Sequence, residues 1–289
     1  MHQRGNETQN IMKKSISITI LFLSIQIGIA QNKAIKSEVI GKGKPVLFLP
    51  GFTTPGSIWK ETIKHLDVKK EAHLISYAGF NGIKPIEMPW YSSIKKEIIN
   101  YIKKNKFQEL EIIGHSMGGT LATDIAAEFP NIVKKIILVD ALPCMREVMM
   151  PGVSAKSIQY ESPYNNQMLT MNAVQFKGMA NMMSTNMTNN KDKIKTLTNW
   201  ILEADRKTYV YGYTDLLKLD VRPKLSKIKA KALVLAAPTY GAIGKENMEK
   251  QYANLANKKI EMAPSGKHFI MFDQPEWFYK KVNAFLTNE

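Results

Sequence analysis

One serine in this chain is set between glycines, in Gly114-His115-Ser116-Met117-Gly118-Gly119. An apolar run, Leu110-Glu111-Ile112-Ile113, precedes it, and a helical pattern from Thr120 to Ala127 follows. A strand, a sharp turn and a helix around G-x-S-x-G form a nucleophile elbow, which holds its serine in a strained, exposed conformation. Side chains at the glycine positions would crowd the strand and helix backbones. The helix start adds free N–H groups and a positive dipole end. The chemistry this suits is attack of a serine oxygen on an acyl carbon. A serine hydroxyl is a poor nucleophile at neutral pH and needs a base, which in turn needs an orienting acid. Five histidines are present. His2 lies in the leader, His65 follows a helical pattern, and His73 sits inside a strand pattern. His115 adjoins the nucleophile, so its side chain is expected to point away from the Ser116 hydroxyl. His268, in a loop after the last strand pattern, is the candidate base.

Several elements must hold these groups. Residues 46–49, 72–77, 110–113, 136–139, 232–236 and 259–262 read as strands, and residues 34–44 as one or two more. The run 46–49 is apolar without alternation, as suits a strand buried on both faces of a parallel sheet. Residues 57–66 read as a helix with Ser57 near its cap, and 90–104 as an amphipathic helix with Ile94, Ile98 and Ile102 on one face. Strands alternating with helices predict an α/β fold with a doubly wound, mostly parallel sheet. The rhythm breaks between Asp140 and Ile228, where helical patterns run without a core strand. Nine methionines lie between Met145 and Met187, and they suit either a pocket for an apolar group or the core of the inserted helices.

On these residues the chain resembles the α/β-hydrolase superfamily, from about Ser37 to Phe285. Val46-Leu47-Phe48-Leu49-Pro50-Gly51-Phe52 is similar to the third core strand and its oxyanion loop. The elbow, Ile136-Ile137-Leu138-Val139-Asp140 and Gly266-Lys267-His268-Phe269 follow in the family's order. The resemblance implies a helical cap inserted after the strand that ends at Asp140. The division is 1–30 leader, 31–142 first core part, 143–222 cap and 223–289 second core part, with Asp220-Val221-Arg222-Pro223 at the return. The resemblance also places the base at His268. Many members carry the acid after the strand that here is 232–236, but Ala237-Pro238-Thr239-Tyr240-Gly241 holds no carboxylate. Other members place it one strand earlier, where Asp140 stands. Asp140 is therefore the candidate acid and Glu246 its rival. Asp273 reads as a helix cap in Asp273-Gln274-Pro275-Glu276. Asp124 is expected to face solvent. The oxyanion that forms during acyl transfer needs prepositioned N–H donors. Met117, after the nucleophile, supplies one, and by resemblance Phe52 supplies the other. Pro50-Gly51 replaces the family's common His-Gly pair there.

The remaining composition narrows the function. The 289 residues suit one α/β domain with an insertion, or at most two small domains. Met12-Lys13-Lys14, an apolar stretch over 16–29 and Gly28-Ile29-Ala30 read as a signal peptide cleaved after Ala30, and Met1–Ile11 as an upstream extension. This predicts export to the periplasm or medium. The formal charge of +15 could draw the chain to an anionic membrane surface, yet the lysines are scattered and no nucleic-acid module is present. A lone cysteine, Cys144, excludes an intramolecular disulfide and reads as a buried small residue near the pocket. No histidine, cysteine and carboxylate cluster has metal-ligand spacing, so neither metal nor cofactor is expected. The leading expectation is an exported serine hydrolase acting on an ester, thioester or related acyl bond with an apolar portion. Acyl transfer, perhydrolysis and C–C cleavage or lyase chemistry use the same elbow, and a non-catalytic ligand-binding protein uses the same scaffold. A serine nucleophile argues against dehalogenase and epoxide hydrolase chemistry, where the family uses aspartate.

Overall fold

The computed structural model describes residues 33–238 and 244–287. The leader, with its expected cleavage at Ala30, lies outside them. The strands are β1 (Ile35–Ile40), β2 (Lys44–Leu49), β3 (Lys70–Tyr77), β4 (Leu110–His115), β5 (Val133–Val139), β6 (Lys231–Ala236) and β7 (Lys258–Met262). They form one sheet in the order β1-β3-β2-β4-β5-β6-β7. β1 runs antiparallel to β3, and every other pairing is parallel. The sheet is thus mostly parallel, as expected. β2, the second described strand, lies between β3 and β4 in the sheet.

Helices cover both faces. They are α1 (Lys60–Lys64), α2 (Trp90–Asn105), α3 (Met117–Glu128), α4 (Met145–Met149), α5 (Pro163–Thr170), α6 (Ala173–Met187), α7 (Lys191–Leu202), α8 (Arg206–Lys218), α9 (Lys245–Gln251), α10 (Ile270–Asp273) and α11 (Pro275–Thr287). Successive side chains of a strand point to opposite faces. Accordingly Leu47 and Leu49 of β2 join one apolar layer, while Val46 and Phe48 join the other. All four are fully buried, which explains the continuous apolar run. Ile94, Ile98 and Ile102 form the buried stripe of α2.

Between β5 and β6 the described chain is α4 to α8 and short 3₁₀ turns. Side-chain caps begin α5 to α8. Ser162 accepts from Asn165 N, Asn172 and Gln175 form a capping box, and Asp205 accepts from Thr208 N.

Two sequence expectations fail locally. Ser57 caps nothing, because the segment begins as a 3₁₀ turn, Gly56–Trp59, whose first contact follows Pro55. Asp124 is buried, not solvent-facing: Lys95 reaches it at 3.0 Å and Lys224 at 2.7 Å. The helical period assigns Asp124 to the outer face of α3, but α2 and the turn Arg222–Lys227 cover that face.

Candidate active site

β4 ends at His115 and α3 begins at Met117, leaving Ser116 alone at the bend with φ 54° and ψ −125°. A non-glycine residue with positive φ costs about 1–3 kcal/mol and persists only where its surroundings impose it. Here Ser116 N donates to Val139 O at 2.8 Å, and Ser116 O accepts from Gly119 N at 2.9 Å. A Cβ on Gly114 would stand 2.3 Å from Gly118 O, and one on Gly118 would stand 2.2 Å from Leu49 O. Glycine at these two sites lets the helix start lie against β2 and β4.

His268 and Asp140 meet in the cavity that Ser116 also lines. His268 Nδ1 lies 2.7 Å from Asp140 Oδ2, across 128 residues of sequence. A carboxylate can only accept, so Nδ1 carries the proton and Nε2 is left as the basic nitrogen. Asp140 Oδ1 accepts from Ala237 N at 2.9 Å, and Asp140 N donates to Leu235 O at 2.7 Å. Both bonds anchor Asp140 on the end of β6, and its backbone takes φ 45° to do so. Glu246 stands elsewhere, highly exposed on α9 and paired with Lys250 at 3.3 Å. Asp273 does not serve as the helix cap the sequence suggested. It accepts from Lys267 N, Thr188 Oγ1 and Asn189 N, because the chain between α6 and α7 passes over it.

His115 is fully buried. Its Nε2 lies 2.9 Å from the carbonyl oxygen of His268. Burial holds its pKa well below the ordinary histidine value, and the neighbouring His268 ring adds to this. The ring is therefore neutral near pH 7, with Nε2–H donating to the His268 carbonyl.

The loop after β2 is also pinned. Gly51 O accepts from Thr54 N at 3.2 Å and from Thr54 Oγ1 at 2.9 Å, while Tyr77 OH donates to Pro50 O at 3.2 Å. The Met117 amide is the first of α3, where no carbonyl within the helix can accept its hydrogen. The Phe52 ring packs edge-on against Phe80 and Trp90, with centroids 4.8 and 5.5 Å away. It also meets Tyr209 and Tyr213 of α8.

Ser116, His268, Asp140, Phe52 and Met117 line one cavity of about 240 Å³. The helices between β5 and β6 contribute Met145, Met149, Met183, Met187, Tyr209 and Tyr213 to its lining. Met168, Met171 and Met179 pack with the apolar core without lining the cavity, whereas Met145 and Met183 do both. Tyr209 and Tyr213 escaped the sequence reading. Their i, i+4 spacing put them on one helix face, but nothing local said that this face looks into the site. Burial raises both phenols' pKa, so they are neutral donors. Cys144 is buried, and its amide donates to Gln251 Oε1 at 3.0 Å. Burial raises its thiol pKa, which suits packing rather than nucleophilic chemistry. Among the described residues no three histidine, cysteine or carboxylate side chains gather as metal ligands.

The family described as alpha/beta hydrolase fold matches residues 44–288. Pimeloyl-[acyl-carrier protein] methyl ester esterase of Wigglesworthia glossinidia brevipalpis is 27% identical over 261 residues, 86% of this chain and 96% of that protein. The protein of the same name from Aeromonas hydrophila is 21% identical over 88% of this chain and 99% of its own length. Among solved structures, an esterase from Exiguobacterium antarcticum aligns with TM-score 0.74 at 18% identity, covering 88% of this chain and 96% of its own. The enol-lactonase from Burkholderia xenovorans LB400 aligns with the same TM-score at 15% identity and the same coverage. At these identities the structural likeness carries the fold alone.

Proposed function

The chain belongs to the α/β-hydrolase family, and from that premise we propose that it is a serine hydrolase cleaving a carboxylic ester through an acyl-enzyme on Ser116. The observation that carries this reading is the 2.7 Å contact of His268 Nδ1 with Asp140 Oδ2 in the cavity that Ser116 also lines. Relatives that are methyl ester esterases support an ester as the scissile group. His268 takes the Ser116 proton as the oxygen attacks the acyl carbon. The N–H groups of Phe52 and Met117 hold the oxyanion. His268 then protonates the leaving alcohol, and water, deprotonated by the same ring, releases the acid.

The cavity wall indicates the acyl portion. Its inserted side is methionine, leucine and tyrosine, without a lysine or arginine among the lining residues, so an uncharged, flexible acyl chain suits it. Residues 143–222 act as a cap that closes over this chain. We further propose that residues 1–30 direct export and that the mature chain begins at Gln31. An exported enzyme meets free esters rather than carrier-bound ones, so the proposed substrate is a small ester.

The test is fluorophosphonate labelling of the mature protein with the adduct located by mass spectrometry, beside a p-nitrophenyl ester series. Labelling at Ser116, turnover of the series, and loss of at least ~10⁴-fold of that turnover in Ser116→Ala are expected. A folded wild type that neither labels nor hydrolyses would remove the reading. N-terminal sequencing of cell fractions tests export; an intact leader on cytoplasmic protein is the contrary result.

A further inference from the structure

We propose that Asp273 is a positioning residue for His268, acting by bonding the histidine loop to the chain segment between α6 and α7. The inference rests on the serine-hydrolase reading above. One carboxylate joins two segments. Its Oδ2 accepts from Lys267 N at 2.7 Å, the amide immediately before His268. Its Oδ1 accepts from Thr188 Oγ1 at 2.5 Å, Asn189 N at 2.9 Å and Asn190 N at 3.3 Å. Two further bonds run alongside. Phe269 N donates to Met187 O at 3.0 Å, and Lys267 Nζ donates to Thr185 O at 2.8 Å. Both chain neighbours of His268 are therefore tied to residues 185–190.

The geometry sets this apart from an ordinary surface contact. Thr188 is buried at 1% exposure, so its hydroxyl has no easy exchange with water. The histidine loop closes tightly over the carboxylate: Gly266 takes φ +107°, and a Cβ there would stand 3.0 Å from Asp273 Cβ. Hydrogen bonds to an ionised acceptor are roughly twice as strong as neutral ones. A loop without such ties has conformational freedom, and misplacing a catalytic group by about 1 Å costs around 10²-fold in rate. The same tie reaches the substrate side. Met183 and Met187, in the last turn of α6, line the cavity one to five residues before Thr188. An acyl chain resting on these methionines therefore bears on the segment that holds the base.

The test compares Asp273→Asn, Thr188→Val and Thr188→Ser in the full mature chain, using p-nitrophenyl acetate. Asp273→Asn and Thr188→Val should lower kcat by about 10- to 100-fold while KM stays within about two-fold, as for loss of orientation rather than of binding. Thr188→Ser keeps the donor and should return kcat to within about three-fold of wild type. A second readout is the downfield proton resonance of His268 Nδ1, assigned by its disappearance in Asp140→Asn. It should broaden in Thr188→Val at temperatures where circular dichroism shows the chain folded, and stay sharp in Thr188→Ser. A folded Thr188→Val with wild-type kcat and a sharp resonance would overturn the proposal. Should Asp273→Asn not fold, the Thr188 pair decides alone. Absence of any ester turnover in wild type would strike the hydrolase reading, while the resonance would still decide whether the tie holds the ring.

Discussion

His115 and His268 are joined by a bond that does not involve the second ring: His115 Nε2 lies 2.9 Å from the His268 carbonyl oxygen. On its other side, a Cβ on Gly51 would stand 2.9 Å from His115 Nδ1. One buried imidazole thus fills the space between the loop after β2 and the backbone of His268. It can do this only while neutral, because a second N–H at Nδ1 has no acceptor among the described residues.

That relationship predicts a pH dependence of stability. The folded pKa of His115 is depressed by burial, whereas the unfolded value is about 6.5. Below about pH 6.5 the unfolded chain takes up a proton that the folded chain refuses. Its stability contribution is complete above that pH and is lost as pH falls towards the folded pKa, at up to about 1.4 kcal/mol per unit. Urea melts from pH 7.5 to 5 should show this slope in wild type and a slope smaller by one proton in His115→Gln. Identical slopes would refute it.

Asp140→Asn should leave the fold intact and lower kcat by roughly 10³- to 10⁴-fold, since an amide no longer selects the tautomer with the proton on Nδ1. Glu246→Gln, at an exposed pair with Lys250, should change kcat by less than about two-fold. The two variants assayed together with a fluorophosphonate and a p-nitrophenyl ester separate the rival acids. A large loss in Glu246→Gln would reverse the assignment.

Two glycine-to-alanine substitutions should have opposite signs. In Gly118→Ala the new Cβ meets Leu49 O at 2.2 Å and Pro50 O at 2.4 Å, both backbone atoms where β2 ends. Destabilisation of about 3 kcal/mol is expected, with lower kcat in whatever remains folded. In Gly178→Ala, within α6, the Cβ meets nothing within 4 Å. Alanine there should stabilise the chain by about 0.5–1 kcal/mol through helix propensity. Thermal melts of both variants check the pair.

At the opposite end of the sheet Lys70 and Glu111 form a buried ion pair, 2.6 Å apart with side chains only 5% and 9% exposed. Lys70→Met alone should cost about 3–5 kcal/mol, because it strands a buried carboxylate. Lys70→Met with Glu111→Leu should lie within about 2 kcal/mol of wild type, since the desolvation of both charges is relieved together. Denaturant midpoints of the single and double variants measure the difference. Additive losses would contradict it.

Several features were legible from the sequence because neighbouring residues encode them. The bend at Ser116 needs only a buried apolar run, two close-approach glycines and a helix pattern, all within twenty residues of one another. Residues 46–49 and 136–139 read as core strands because strands covered on both faces lose their alternation. His268 emerged as the candidate base because its four rivals carried local patterns of other kinds.

What lay beyond the sequence depends on which elements pack together. Asp140 and Glu246 both followed strands at plausible places, and only the parallel pairing of β5 with β6 brings Asp140 to the histidine loop while leaving Glu246 in water. Asp124 sits on the polar side of its helical period, and only the covering lysines on α2 and the turn Arg222–Lys227 make that side an interior. Asp273 carries a local capping signature, yet besides Lys267 N its partners lie more than eighty residues earlier, in the segment between α6 and α7. Turn conformation is set by adjacent residues, whereas the partner of a carboxylate is set by the tertiary contact that removes its water.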